Sequence, residues 1–382
     1  MPIILLLSLI LLSTDAIVKS DSVESAPFIT TWKTNLPGAS GDSSIIIPTA
    51  PSSTYNYNVK WGDGSVSTNL SGNATHTYDE EGTFTVEITG VFPRIYFNDS
   101  GDKEKIISID QWGNSIWQEM AFAFYGCTNL KGNANDKPNL SSVNSMVSMF
   151  RNASSFDQDI NDWDVSGVTN MWNTFNGAAL FNQNIYDWDV SNVTRMSGMF
   201  ANATSFNQDI GNWDVTSVTS IENMFFNSIA FNQDISNWQI SSLSDLATFL
   251  TDSGLDMQNY DALLIGWAGQ SVQQNVNFGV HGLEYCSGEF ARELLIAQGW
   301  AFEGDSKAND TNIFNFNFTH WNLFPSSWSE GRYPSCCDDV IIPQNKSITI
   351  IPGDIGYGGT LEVELGASLD VPLGAELHIK GN

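Results

Sequence analysis

The sequence predicts a multidomain chain: a β-sandwich, then an α/β solenoid of stacked repeats, then a C-terminal segment of β-roll or β-helix type. Three observations predict it. Residues 26–92 alternate apolar and polar side chains between Gly-rich turns. The phrase FNQDIGNWDV (206–215) has near-copies at 156–165, 181–190 and 231–240, which puts Trp163, Trp188, Trp213 and Trp238 in register 25 residues apart. A fixed period in this range marks supersecondary units that stack. Near the C-terminus, Leu361/Val363, Leu369/Val371 and Leu377/Ile379 recur every eight residues, with Gly366 and Gly374 between them.

The chain opens with MPIILLLSLILLSTDA. Its apolar run from Pro2 to Leu12 is too short to span a bilayer, and Ser- and Asp-rich sequence follows at once. Residues 1–20 therefore read as a signal peptide, although only the terminal amine supplies positive charge ahead of the run. Export to the cell surface or exterior is the expected localisation, with no membrane-spanning segment beyond the leader.

In residues 26–92, Tyr55, Tyr57, Val59 and Trp61 point one way, and Phe84, Val86 and Ile88 do the same on a later strand. Between them stand the turn WGDGS (61–65) and THTYDEEGTFTVEITG (75–90). In that order these motifs resemble the PKD domain, an immunoglobulin-like β-sandwich. Asp63 reads as a turn residue and His76 as a packed strand residue. Residues 93–120 then form an aromatic junction, with no Ser/Gly-rich tether.

Each repeat within 93–254 opens with the spacing of Ile160, Trp163 and Val165, the LxxLxL pattern of a leucine-rich-repeat strand. Val168, Met171 and Phe175 follow at steps of three and four, which predicts one face of a short helix. Ser166, Ser191, Thr216 and Ser241 precede that step, where an N-cap oxygen is useful. Gln158, Gln183, Gln208 and Gln233 recur unchanged, as do Asn182, Asn207 and Asn232. Together with the four Trp they read as a structural ladder bonding along the stack. Cys127 falls where later units hold Ala153, Ala178 and Ala203, so it reads as a buried thiol.

The stretch NLSSVNSMVSMFRNASSFDQDINDWDVSGVTNMWNTF and its continuation to about 250 resemble the BspA-like leucine-rich-repeat surface proteins of bacteria. The stretches FITTWKT, KIISIDQWG and NYDALLIGWA resemble the flanks found with such repeats. The resemblance implies cell-surface adhesion and supplies no catalytic residues. Residues 255–305 break the period and are expected to cap the array. There EFARELLIAQ predicts a helix over 289–298 with Phe290, Leu294 and Ala297 on one face. Residues 306–382 are β-rich, and the chain stops just after a strand, which predicts that a covering segment once followed.

Composition narrows the function. The chain holds 43 Asp plus Glu against 15 Lys plus Arg, a formal net charge of −28. Such a surface repels phosphate backbones, so nucleic acid is not an expected partner. The four cysteines show no CxxC or Cys/His cluster, and no zinc site is expected. The pairing of Cys286, Cys336 and Cys337 stays open. His76, His281, His320 and His378 lie in separate segments with no partner spacing. No enzyme motif stands in a suitable context; paired carboxylates for glycoside hydrolysis are the one catalytic alternative.

The expected function is adhesion, or binding of an extracellular protein or glycan, through the surface of the array. The alternative is a structural spacer in a larger exoprotein. Asp164, Asp189 and Asp214 stack on outward positions, with Gln239 in the fourth unit. Two readings stand for them: a ligand site that draws calcium or a cationic partner, or hydrated acids bonded within their own turns. No cofactor beyond that calcium is called for.

Overall fold

The computed structural model describes residues 26–308 and, beyond them, the backbone of short strands between 311 and 379. The leader (1–20), His320, Cys336 and Cys337 lie outside the described residues.

The chain is β-rich. Its first unit holds β1 (Phe28–Lys33), β2 (Ser44–Ile47), β3 (Asn56–Lys60), β4 (Val66–Leu70), β5 (Ala74–Thr77) and β6 (Thr83–Val91). β7 (Ile106–Gln111) and β8 (Lys131–Gly132) follow. One sheet runs β4-β3-β6-β1-β7-β8 and a second pairs β2 with β5. Period-two alternation decides the faces: Phe28, Thr30 and Trp32 of β1 are buried, as are Tyr57 and Val59 of β3 and Val86 and Ile88 of β6. β1 sits centrally, antiparallel to both β6 and β7, so the sheet crosses position 92 and reaches into the repeat region.

The junction is pinned by a buried charge. Lys105 Nζ donates to the carbonyls of Ser40, Gly41 and Ser44 and to Ser40 Oγ, while Asp102 accepts from the amides of Ser40 and Ile46. An ammonium this deep is tolerated because carbonyl dipoles replace its water. Trp112 meets Trp163 edge to face at 5.3 Å, so the first unit packs directly on the repeats.

The α/β leucine-rich-repeat solenoid expected for 93–254 is not what the chain forms. Among the described residues, helices are confined to α1 (Met257–Ala268) and α2 (Glu289–Ala297), both past the repeats. The strand expected at Ile160–Val165 is a pair of turns instead, closed by Trp163 N–H to Ile160 O and Val168 N–H to Val165 O. The helix expected at Val168–Phe175 is blocked by backbone sign. Ser148, Asn173, Gly198, Asn223 and Thr248 all have positive φ, as do Asn152, Gly177, Asn202, Asn227 and Asp252. A right-handed helix cannot pass two left-handed residues in each unit.

Hydrogen bonds take a different route. Amides of Met171, Asn173, Phe175 and Gly177 donate to Arg195, Ser197, Met199 and Ala201 of the next unit, at 2.8–3.0 Å. Thr174, Asn176 and Ala178 donate back to Met171, Asn173 and Phe175, closing turns. Parallel bridges link Ser145, Asn170, Arg195, Ser220 and Asp245 in sequence. Each repeat is thus a helix-free loop bonded edge to edge with its neighbours.

After the repeats, α1 starts at Asp256, whose side chain accepts from Asn259 N–H. β9 (Asn277–Gly279) pairs in parallel with β11 (Ala301–Glu303), and β10 (Glu284–Tyr285) with β12 (Ser306–Lys307). In α2 the face of Ala291 and Leu295 is buried, whereas Phe290 and Leu294 are exposed. Arg292 sets this roll. It grips Asp305 with two hydrogen bonds (2.7 and 2.9 Å), its guanidinium lies over Phe302, and Tyr260 also donates to Asp305.

The last strands are β13 (Thr311–Ile313), β14 (Asp339–Ile342), β15 (Ser347–Thr349), β16 (Ile355–Gly358), β17 (Thr360–Val363), β18 (Ser368–Asp370) and β19 (Glu376–Ile379). β14 pairs with β17, β15 with β18 and β16 with β19, all parallel. The eight-residue recurrence of Leu361, Leu369 and Leu377 therefore spans three separate sheets; it is not the spacing between ladder partners.

Candidate functional site

The interior of the array is built from constant residues. Phe124, Phe150, Phe175, Phe200 and Phe225 stack at 5.6–5.9 Å between successive rings. A second column, Phe156, Phe181, Phe206 and Phe231, runs beside it at 6.0–6.3 Å. The second column opens the repeated phrase itself, yet the apolar pattern that suggested a helix passes over it. Indole Nε1 groups of Trp188, Trp213 and Trp238 donate to the carbonyls of Ile160, Ile185 and Ile210, one unit back. Trp267 of α1 continues the series onto Ile235 O, which the broken period hid.

The amide ladder bonds along the same direction. Asn182, Asn207 and Asn232 each present Oδ1 to a backbone amide of the next unit, namely Asn207, Asn232 and Asp256. Gln208 and Gln233 donate to the side-chain and main-chain oxygens of Asn182 and Asn207. Gln158 is buried against β8, where any side chain at Gly132 would collide with it, and donates to Ala134 O. Gln183 is half-buried at the equivalent place.

Asp164, Asp189 and Asp214 are exposed, and each keeps Oδ1 on its own turn. Asp164 accepts from Ser166 N–H and Oγ, Asp189 from Ser191 and Asp214 from Thr216. The Ser166 hydroxyl, then its amide, holds Asp164 below the usual carboxylate range; Thr216 does the same for Asp214. Ser166, Ser191 and Thr216 therefore serve turns, not helix N-caps. Among the described residues no group of three or more His, Cys, Asp or Glu converges where a metal could sit.

In the first unit, Asp63 and His76 meet. His76 Nε2 lies 2.7 Å from Asp63 Oδ2, and its ring stacks on Trp61 at 4.7 Å. Ser65 Oγ donates to Asp63 Oδ1 and approaches the same imidazole nitrogen at 3.3 Å. With both partners on one nitrogen, no relay from acid through imidazole to hydroxyl is set up. Cys127 is a buried free thiol, its pKa pushed well up by desolvation, and Cys286 is disulfide-bonded.

A different face of the array changes from unit to unit. One place holds Val147, Trp172, Ser197, Glu222 and Ala247 in turn, with Trp172 exposed and Val147 and Ser197 buried; another holds Arg151, Asn176, Ala201, Phe226 and Thr251, with Ala201 buried. The match with known proteins falls on this same array. Residues 95–185 and 160–262 are similar to a family described as Mycoplasma protein of unknown function, DUF285. Neither a curated protein nor a solved structure matches the chain. No helix among the described residues is long and apolar enough to cross a membrane.

The varied face contains a hollow of about 320 Å³. Its floor is the middle unit, where Ser197, Gly198 and Ala201 are small. Trp172 rises on one side with Asn173 and Asn176, and Phe226 on the other with Glu222 and Asn223. Trp172 is 44% exposed, with the Arg195 guanidinium 5.9 Å from its ring centre. Another hollow, of about 400 Å³, lies against β1 and β7, where Lys33 and Lys131 join Asp110 in its lining, but no aromatic side chain faces it. The sequence signal for the first hollow is the replacement of Trp172 by Ser197 and of Asn176 by Ala201 at equivalent places of successive units.

Proposed function

We propose that the chain is an exported, non-enzymatic binding protein that holds an extracellular protein or glycan on the varied face of its repeat array. One observation carries this reading. Interior positions repeat from unit to unit, whereas the places of Trp172 and Phe226, which wall the hollow, take a different residue in every unit. A scaffold needs only the constant set. Varied side chains gathered around one hollow on a constant scaffold are what a recognition surface requires, with rigid elements presenting it. The Asp164, Asp189 and Asp214 column lacks this character, since its residues are near-identical and spent on their own turns.

A screen of the full chain against matrix proteins, glycans and intact cells tests the proposal. Binding is expected, with loss in Trp172→Ala and retention in Asp189→Ala. Absence of binding on every probe overturns it and leaves a spacer, a role that the direct packing of Trp112 on Trp163 also suits.

A further inference from the structure

We infer that the hollow between Trp172 and Phe226 takes a neutral saccharide, an inference that rests on the binding role proposed above. Its polar groups are partly spent within the array, and the remainder has a pattern. Asn173 Oδ1 accepts from Asn176 Nδ2, Asn202 Oδ1 from Asn227 Nδ2, and Asn223 Oδ1 from Thr248 Oγ1. The amide groups of Asn173, Asn202 and Asn223 are thereby left with Nδ2 donors, for which the described residues supply no acceptor. Asn176 Oδ1 and the Glu222 carboxylate are left as acceptors. Donors and acceptors interleaved over a small area suit vicinal hydroxyls, each of which donates and accepts.

The aromatic walls supply the rest. The face of a pyranose presents C–H groups with positive potential, which the negative face of an indole or phenyl ring attracts while both lose water. The volume lies at the low end of the ~300–1,000 Å³ usual for small-ligand sites. Glu222 is the only ionisable residue lining it, and with the chain's net charge of −28 it outweighs the single Arg195 guanidinium against Trp172, so sulfated and sialylated sugars are disfavoured. Gly198 lets the Asn173 amide lie close against the floor of the hollow, since a Cβ there would stand 2.2 Å from Asn173 Oδ1.

Two substitutions test this without threatening the fold, because the array already accepts them. Ala247 stands in the place of Trp172, and Ala201 in that of Phe226. The full chain, Trp172→Ala and Phe226→Ala are titrated calorimetrically with glucose-, galactose-, mannose- and N-acetylglucosamine-terminated oligosaccharides, and with sulfated and sialylated ones. At least one neutral sugar is expected to bind, and each substitution should weaken it about tenfold or more. Neutral sugars that fail to bind, or bind equally well to both variants, overturn the inference. If a matrix protein binds through Trp172 and neutral sugars do not compete, the saccharide class falls and the binding role stands. Should no protein, glycan or cell bind at all, both fall.

Discussion

At the residue scale, the acidity of the repeats is turn chemistry. Asp159, Asn184, Asp209 and Asp234 each accept from the amide two residues on, as Asp164, Asp189 and Asp214 do further along the phrase. Asn serves at 184 as well as Asp does elsewhere, so it is the carbonyl-type oxygen that matters. Asp164→Asn, which keeps the acceptor and gives up the charge, is therefore expected to cost less stability in urea at pH 7 than Asp164→Ala, which costs about 0.5–1 kcal/mol. Within the repeats the carboxylates of Asp164 and Asp214 have depressed folded-state pKa values, as Asp63 has in the first unit, and they stabilise the fold above the unfolded value of about 3.9. That contribution is lost as the pH falls through the folded values. In Asp164→Asn/Asp214→Asn the drop in urea midpoint between pH 7 and pH 3 should shrink; an unchanged drop would place the acid sensitivity elsewhere. The sequence showed these carboxylates and their outward positions. It did not show that each had already found its partner two residues away, because a stack of Asp looks the same whether its oxygens are free or spent.

At the element scale, the period was legible and the secondary structure was not. Steps of three and four between Val168, Met171 and Phe175 fit a helix, and they fit consecutive turns equally well, since both return a side chain to one side every three or four residues. The deciding information lies in Asn152, Asn173, Asn202, Asn223 and Asn227, residues that tolerate left-handed backbone. Gly177 and Gly198 at equivalent places strengthen that signal. A helix would have found these residues unfavourable in its interior. Asn152 is exposed, with φ of 56°, in the place that Gly177 holds one unit later. Asn152→Val should cost about 1–3 kcal/mol through backbone strain, and Asn152→Gly far less. Equal losses in the two, read from urea midpoints, would mean that backbone sign is not what shapes the loop. The N-terminal strands were easier to read, because two-residue alternation has no competing explanation there. Even so, β1 passed as a flank of the repeats; only its pairing with both β6 and β7 shows it to be central.

At the scale of the whole molecule, the array is held by contacts between adjacent units: the two Phe columns, the indole-to-carbonyl bonds, and the Asn and Gln ladder. Energetics of this kind are close to a sum over units and neighbour interfaces. Removing residues 181–205 would take out one period of 25 residues, matching the offset of the Asn ladder, and join Leu180 to Phe206. Phe206 would then stack on Phe156, Trp213 Nε1 would meet Ile160 O, and Asn207 N–H would meet Asp157 Oδ1, as Phe181, Trp188 and Asn182 do in the intact chain. This shortened chain is expected to fold and melt cooperatively, at a somewhat lower temperature than the parent. A deletion one residue shorter, 181–204, keeps nearly the same mass and composition but displaces every column past the joint by one place. Phe carbons would then face polar turn positions, and amides would face each other. That variant should unfold or aggregate under conditions in which the first stays folded. Circular dichroism melts and size-exclusion profiles of the pair decide it, and equal behaviour would mean that the columns do not set the register. The in-frame deletion also brings Trp172 and Asn176 directly against Glu222 and Phe226, removing the small-residue floor of Ser197, Gly198 and Ala201. Saccharide binding should vanish while the fold survives, separating the scaffold from the surface it presents.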